Sequence, residues 1–245
     1  MLEDLAEVRP TLFGSVPRIF EKAYAQIHGA VAKKPPALRR LFAWADEVGR
    51  ARARHLTAGR PVPPLLRARY APADRLVFSR IREVFGGRVR LMLTGAAPTA
   101  PEILEFFWAA GLPVYEGYGM TEATVLTHLN REGATRLGTV GQAIAPAACR
   151  IADDGEVLIK APWVFRGYYG NDEATAAALR DGWLHTGDLG ELDGDGFLRI
   201  TDRKKHLIVT AGGKNLAPAN VQRAIEGEDP LISQVHAHGD RRPYV

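Results

Sequence analysis

Cysteine is almost missing from this 245-residue sequence: Cys149 stands alone. A single thiol excludes an intrachain disulfide and a cysteine metal cluster, and it suits a reducing, cytoplasmic setting. Long apolar runs are missing as well. None approaches the roughly 20 residues that a membrane-spanning helix needs. The first residues, Met1-Leu2-Glu3-Asp4, carry acid where a secretory leader would carry base, so no such leader is expected. Internal repeats and low-complexity tracts are absent, and no Gly-x-x-x-x-Gly-Lys-Ser/Thr phosphate loop occurs. What is present is a globular composition: 46% hydrophobic, 24% charged, with 25 Gly and 16 Pro spread along the chain.

The charge is unevenly placed. Thirteen Lys and Arg residues lie from Lys33 to Arg82, opposed only by Asp46, Glu47 and Asp74, so this stretch carries +10 in a chain of net charge +4. Two readings stand. One is a solvated helical face. The other is a patch for an anionic membrane surface, at the inner face of the membrane, or for a polyphosphate ligand. Few aromatics interleave with the arginines, which argues against nucleic acid.

The periodicity predicts a helix over 15–31, entered at Ser15 and Pro17, with Ile19, Phe20, Ala23, Tyr24 and Ile27 on one face. A second helix is expected over 36–57. Pro61, Pro63 and Pro64 then argue for irregular chain, followed by a helix over 74–85. Val89–Leu93 reads as a strand and Thr94–Pro98 as a turn. Thr99 and Glu102 have the spacing of a capping box, and the helix they open stops at Gly111. Leu112–Tyr115 reads as a second strand. This strand, helix and strand form a βαβ unit, hence a parallel sheet, whose ligands sit beyond the carboxyl ends of the strands. From about residue 137 the texture changes to short strands, with hairpins over 150–160 and 189–201 and a short helix capped by Asn171.

Three segments have the chemistry of a nucleotide site. Gly117-Tyr118-Gly119-Met120-Thr121-Glu122 offers a flat ring, close backbone approach, a hydroxyl and a carboxylate suited to Mg²⁺. His185-Thr186-Gly187-Asp188 places an acid where it can accept ribose hydroxyls; an Asx turn is the plain alternative. Asp202-Arg203-Lys204-Lys205 is a charged link between two strands, read either as part of that site or as a solvated turn. His236-x-His238 reads as incidental with metal binding the alternative, His185 as an orienting residue rather than a general base, and Phe106, Phe107 and Trp108 as core with pocket lining the alternative.

Taken together, LTGAAP, EGYGMTEAT, DGEVLIKAPWVFRGYYGN, DGWLHTGDLG and GFLRITDRKKHLIVTAGGKNLAPANV resemble the adenylate-forming superfamily. FGSVPRIFEK and the basic helical insertion resemble its long-chain fatty acid–CoA ligase branch. The resemblance implies an α/β chain with a partial adenylate-forming fold. Residues 1–136 would form part of an N-terminal adenylation domain with the βαβ sheet layer. A small β-barrel-like subdomain would span 137–202, and a hinge with the start of a C-terminal α+β domain would span 203–245. It implies fatty acid, ATP and coenzyme A as substrates, AMP and Mg²⁺ as bound groups, and a non-catalytic scaffold or membrane-surface protein as the alternative. Site roles follow the same resemblance. Gly95, Ala96, Ala97 and Pro98 line the adenine and acyl pocket, and Gly117 and Gly119 flank Tyr118, which stacks on adenine. Thr121 meets the α-phosphate, Glu122 binds Mg²⁺, and Asp188 and Arg203 hold ribose. Lys205 is the hinge, and Gly212 and Gly213 line the path of the thiol. The superfamily's Ser/Thr/Gly-rich phosphate loop and its adenylation lysine have no counterpart here, so this chain is expected to hold AMP without forming the acyl-adenylate.

Overall fold

The structure is a computed structural model that describes residues 2–206, 208–209, 215–216, 218, 221–222, 225, 232 and 235–238. It divides into two compact units, Met1–Met120 with His128–Gln142, and Thr121–Thr127 with Ala143–Val245.

The first unit opens with α1 (Leu2–Val8) and β1 (Leu12–Ser15). Helices α2 (Pro17–Ala32), α3 (Pro36–Thr57) and α4 (Pro64–Ala73) follow, then a π turn (Asp74–Phe78) that runs into α5 (Ser79–Val84). β2 (Leu91–Thr94), α6 (Pro101–Ala109), β3 (Val114–Tyr118) and β4 (His128–Leu129) complete it, and β5 (Gln142–Ala143) falls where the chain passes from this unit to the second. Helices α2, α3, α4 and α6 all begin on proline. Its fixed φ suits the first helical turn, and its missing N–H has no partner there anyway. This corrects the expectation of irregular chain around Pro61–Pro64, because Pro63 is the cap and Pro64 the first residue of α4.

Strands β1, β2 and β3 run parallel, and β4 pairs antiparallel with β3. The expected βαβ unit is therefore β2-α6-β3. The capping box is not formed. Ala100 is the cap of α6 and no side chain caps it. The Thr99 hydroxyl instead lies 3.2 Å from that of Thr94, and the Thr99 N–H donates to Glu116 Oε1 at 3.1 Å. Tying the turn to β3 replaces capping the helix.

The core of this unit is aromatic. Phe20, Phe78, Phe85, Phe106 and Phe107 are fully buried. Phe107 meets Phe20, Phe85 and Phe106 edge-on at centroid distances of 5.7, 5.7 and 5.4 Å, contacts of about 0.5–1.5 kcal/mol each beyond area burial. Trp108 Nε1 donates to the Val114 carbonyl at 3.0 Å, fixing α6 on β3.

The basic stretch divides into two sets. Arg50 bonds Asp46 and Glu105, Arg54 bonds Glu105, and Arg52 lies 4.3 Å over the Tyr70 ring. Arg82 pairs with Asp74 and also donates to the Ala110 carbonyl, while the Tyr70 hydroxyl donates to that of Ala109. The last carbonyls of α6, which have no partner within the helix, are thus satisfied by the insertion. Lys33, Lys34, Arg39, Arg40, Arg60, Arg67, Arg69, Arg75 and Arg80 are exposed.

The second unit holds β6 (Ala148–Ile151), β7 (Glu156–Lys160), α7 (Asp172–Ala178), β8 (Leu179–Arg180), β9 (Trp183–Leu192) and β10 (Leu198–Arg203). The sheet order is β10-β9-β7-β6, antiparallel throughout, with β8 on β9. Both expected hairpins are present, and the sheet is open among the described residues. Asn171 Oδ1 caps α7 by accepting the Ala174 N–H at 3.0 Å, as its position in the sequence implies. A 3₁₀ turn at Thr121–Ala123 belongs to this unit, as does a second at Lys204–His206. β11 (Ile208–Val209) and β12 (Asn215–Leu216) form a short antiparallel pair. Gly212 and Gly213 lie outside the described residues.

Candidate functional site

In the first unit, β2 ends at Thr94 and the chain turns through Gly95, Ala96, Ala97 and Pro98. A Cβ on Gly95 would stand 2.9 Å from the Gly117 carbonyl oxygen, so only glycine lets this turn lie against the end of β3. Ala96 adopts φ +69°, and Ala96, Ala97 and Pro98 are exposed. A non-glycine residue held there costs of order 1 kcal/mol, the kind of strain that collects at ligand sites. Glu116 is 6% exposed, and burial pushes its carboxyl up to about 7, only partly offset by the Thr99 N–H. Tyr118, half-buried at the end of β3, has its ring centroid 5.9 Å from that of His128. Burial lowers His128 to about 4, so this imidazole is neutral at pH 7. Gly117, Tyr118 and Gly119 continue from the strand, where the ring can serve as a platform.

In the second unit, Thr121 and Glu122 share the 3₁₀ turn. That turn is clasped by the segment 163–168. The Phe165 N–H donates to the Glu122 carbonyl at 2.7 Å, and the Thr124 hydroxyl donates to the Trp163 carbonyl at 2.7 Å. The Tyr168 hydroxyl donates to Glu122 Oε1 at 2.8 Å, and this bond, with burial, raises the phenol's pKa.

The register of β7 on β9 shifts between Glu156 and Leu158, whose partners are Leu189 and His185. Thr186, Gly187 and Asp188 therefore bulge out of the ladder, a device that re-aims side chains beside sites. Two bonds hold the bulge: Thr186 Oγ1 donates to the Val157 carbonyl at 2.8 Å, and the Gly187 N–H donates to Glu156 Oε1 at 2.8 Å. The other oxygen of Glu156 accepts Lys204 Nζ at 2.8 Å and faces His185 Nδ1 at 3.0 Å. Burial raises the Glu156 carboxyl, but Lys204, His185 and the Gly187 N–H outweigh it and leave the pKa lowered. His185 Nδ1 also lies 2.8 Å from Arg180 Nη2. One nitrogen cannot serve both, and the buried carboxylate is the stronger claim on its proton.

Asp188, buried, faces Arg203 across the β9–β10 ladder, and Oδ1 accepts Arg203 Nε at 2.8 Å. Arg203 is half-exposed, so the pair presents its guanidinium to solvent. Asp202 is buried beside it, with Oδ1 accepting the Arg203 N–H at 2.6 Å and Oδ2 without a partner among the described residues. Lys204 is pinned to Asp154 and Glu156, whereas its neighbour Lys205 is exposed. His236 and His238 have ring centroids 6.4 Å apart, and no group of three metal-ligating side chains gathers among the described residues.

Sequence reasoning gave no role to Glu116, His128, Glu156, Tyr168, Arg180, Asp154 or the Thr124, Trp163 and Phe165 clasp, and it read Lys204 only as part of the charged link Asp202–Lys205. Glu156 had a signal, an acid leading the apolar run Val157–Ile159. Tyr168 had a weaker one, an aromatic pair between Gly167 and Gly170.

Residues 1–169 match the AMP-binding enzyme family. A long-chain-fatty-acid–CoA ligase of Mycobacterium bovis, FadD15, is 43% identical over 261 residues, covering 100% of this chain and 40% of that protein. Human long-chain-fatty-acid–CoA ligase 1 is 36% identical over 98% of this chain and 34% of its own length. The solved o-succinylbenzoate coenzyme A synthetase of Bacillus subtilis, in complex with ATP and a magnesium ion, superposes with a TM-score of 0.56 at 31% identity, over 63% of this chain and 35% of the other. This chain belongs to the AMP-binding enzyme family. It is similar to long-chain-fatty-acid–CoA ligases and spans about two fifths or less of their length.

Proposed function

We propose that this chain carries the AMP-handling part of a long-chain fatty acid–CoA ligase. In that reaction a fatty carboxylate oxygen bonds the α-phosphorus of ATP and pyrophosphate leaves, giving acyl-AMP. The thiol sulfur of coenzyme A then bonds the acyl carbon, and AMP leaves. Most of what such a protein supplies is position and charge at phosphorus.

The observation that carries the reading is the bulge at 186–188, which sets buried Asp188 against half-exposed Arg203 at 2.8 Å. A carboxylate so held accepts the two ribose hydroxyls. In the first unit, Tyr118 is the platform for adenine, with Gly95–Pro98 and Gly117–Gly119 as the backbone around it. In the second, Thr121 donates to the α-phosphate, and Lys205 is the hinge, next to a Lys204 paired with Asp154 and Glu156. Gly212 and Gly213 complete the thiol path by resemblance. Glu122 is a hard-oxygen ligand that belongs to no group of three or more metal-ligating side chains among the described residues. That fits Mg²⁺ held mainly by phosphate oxygens and water, and does not fit an all-protein cage. When bound, the cation supplies charge neutralisation to the phosphates.

Tryptophan-fluorescence titration with AMP tests this. Saturable binding is expected, weakened about tenfold by Asp188→Asn, in line with losing a charged acceptor. Equal affinity in the variant would remove Asp188 from the site.

Peripheral contact with an anionic membrane is the second part of the proposal, in a cytoplasmic protein. What favours it is the exposed set of nine Lys and Arg residues together with exposed Leu38, Leu65 and Leu76. Leu65 shares α4 with Arg67 and Arg69, and Leu76 sits beside Arg75 in the π turn that follows. Among the described residues no helix is long and apolar enough to cross a membrane. Sedimentation with vesicles containing phosphatidylglycerol is expected at low salt, lost above a few tenths molar salt and lost with Arg67, Arg69, Arg75 and Arg80 all changed to Glu. Salt-insensitive binding, or none, would reject it.

A further inference from the structure

Tyr168 and Tyr169 are adjacent and behave in opposite ways. Tyr169 is fully exposed, whereas Tyr168 turns back and gives its hydroxyl to Glu122. The backbone forces that difference. Gly167 adopts φ +149°, and a Cβ there would strike Thr175 Cγ2 at 2.5 Å, so the chain passes hard against α7. The Tyr168 N–H donates to Thr175 Oγ1 at 2.9 Å, and that hydroxyl donates to the Asn171 carbonyl at 2.8 Å. Asn171 in turn caps α7. The Phe165 ring meets the Tyr168 ring edge-on at 4.8 Å and confines it from the other side. The phenol is thus fixed by a helix, a hydroxyl and a ring before it reaches Glu122.

At Glu122 the consequence is directional. Its carbonyl is held by the Phe165 N–H and its Oε1 by Tyr168, both from one loop. A glutamate on a short turn otherwise samples several rotamers. With one oxygen bonded, the carboxylate plane is set and Oε2, which has no partner among the described residues, points in one direction. A carboxylate whose second oxygen is already hydrogen-bonded binds a hard cation through one oxygen, the mode suited to an octahedral Mg²⁺ that keeps water and phosphate ligands.

We propose that Tyr168 is a positioning residue, which orients the Glu122 carboxylate so that one oxygen meets the cation of a metal–nucleotide complex. This rests on the reading of Glu122 as the Mg²⁺ ligand.

Calorimetric titration of the 245-residue chain with AMP in EDTA, and with ATP in EDTA or excess Mg²⁺, tests it. Wild type is expected to bind ATP more tightly with Mg²⁺ than without. In Tyr168→Phe that Mg²⁺-dependent gain should fall about tenfold, the scale of one hydrogen bond to a charged group, while AMP affinity in EDTA stays unchanged. Glu122→Gln should lose the gain altogether. If Tyr168→Phe keeps the full gain while Glu122→Gln loses it, the positioning role is overturned and the metal reading stands. If Glu122→Gln also keeps it, or wild type shows none, the metal reading falls and this proposal with it. Equal loss of AMP affinity in EDTA would show a general structural defect and overturn the assignment too. Tyr168 is partly exposed, so loss of its hydroxyl should leave the fold intact. Thr175→Val, which loosens the loop without touching Glu122, provides a second variant and should reduce the same gain to a smaller extent.

Discussion

The two units solve the problem of order differently. The first is ordered by apolar contact: five fully buried phenylalanines sit between helices and a parallel sheet. Its buried titratable groups, Glu116 and His128, are both displaced toward their neutral forms by burial. The second is ordered by charge. Glu156 gathers a lysine, a histidine and a backbone N–H, Asp188 pairs with Arg203, and Glu122 is held by a phenol. Apolar packing is non-directional and fixes position in bulk, whereas hydrogen-bonded charge fixes direction. The residues assigned to ribose and metal lie where direction is fixed, and the hinge residue Lys205 follows directly on the pinned Lys204. The platform for a flat base lies where only a surface is needed.

Breaking each kind of order should give different signatures. The largest effect is expected from Phe107→Ala, which removes the ring at the centre of three edge contacts. A loss of about 3–5 kcal/mol is expected, measured by urea denaturation followed through Trp44 and Trp108, both in the first unit. A loss below 1 kcal/mol would mean that the aromatic core is not what orders this unit. Next is Glu156→Ala. Removing a buried acceptor while its donors remain should cost about 3 kcal/mol, read through Trp163 and Trp183 in the second unit. Glu156→Gln should cost less, because shape is kept. If both variants are neutral, the hub is incidental.

The smallest net effect is in pH, where two slopes oppose each other, and it sharpens the contrast most. Glu116 is raised in the folded chain, from an ordinary 4.5 to about 7. Its stabilisation is therefore full below 4.5 and is lost as pH rises through 7, by about 3 kcal/mol at 1.36 kcal/mol per unit. His128 is lowered from 6.5 to about 4, so its neutral burial is stabilising above 6.5 and is lost as pH falls through 4. Between about 4.5 and 6.5 the two slopes oppose each other, and stability should be nearly flat there. In Glu116→Gln only the histidine slope remains, so stability should rise from pH 4 to 6.5 and then level off. Unfolding free energies taken at each pH check this. Parallel profiles for wild type and variant would show that Glu116 does not titrate as described.

Much of this was legible in the sequence, for reasons that differ by region. The βαβ unit could be read because β2 and the start of β3 are apolar and flank a helix with proline at its start and glycine after its end. The hairpins could be read from Asp-Gly turns. β1 could not, because Leu12–Ser15 is four residues long with only partial burial, and it joins the sheet through backbone bonds to a strand about 80 residues away. The capping box was misread for a related reason. Its spacing was right, but Glu116, distant in sequence, outcompetes the helix for the turn at Thr99. Local patterns named Thr121, Glu122, Asp188 and Arg203. They could not name Tyr168 or Glu156, since what these two do depends on partners 46 and 31 residues away.

The insertion's inward-facing arginines leave a mark that natural variation should show. Arg82, Asp74 and Tyr70 finish the end of α6, so they can change only together, whereas Lys33, Arg39, Arg67 or Arg75 can drift singly so long as the surface stays basic. Across homologues the inner set should co-vary residue by residue and the outer set only in total charge. The same asymmetry limits protein engineering. Excising the whole stretch would uncap a core helix, so its surface charge is better removed by substitution than by deletion.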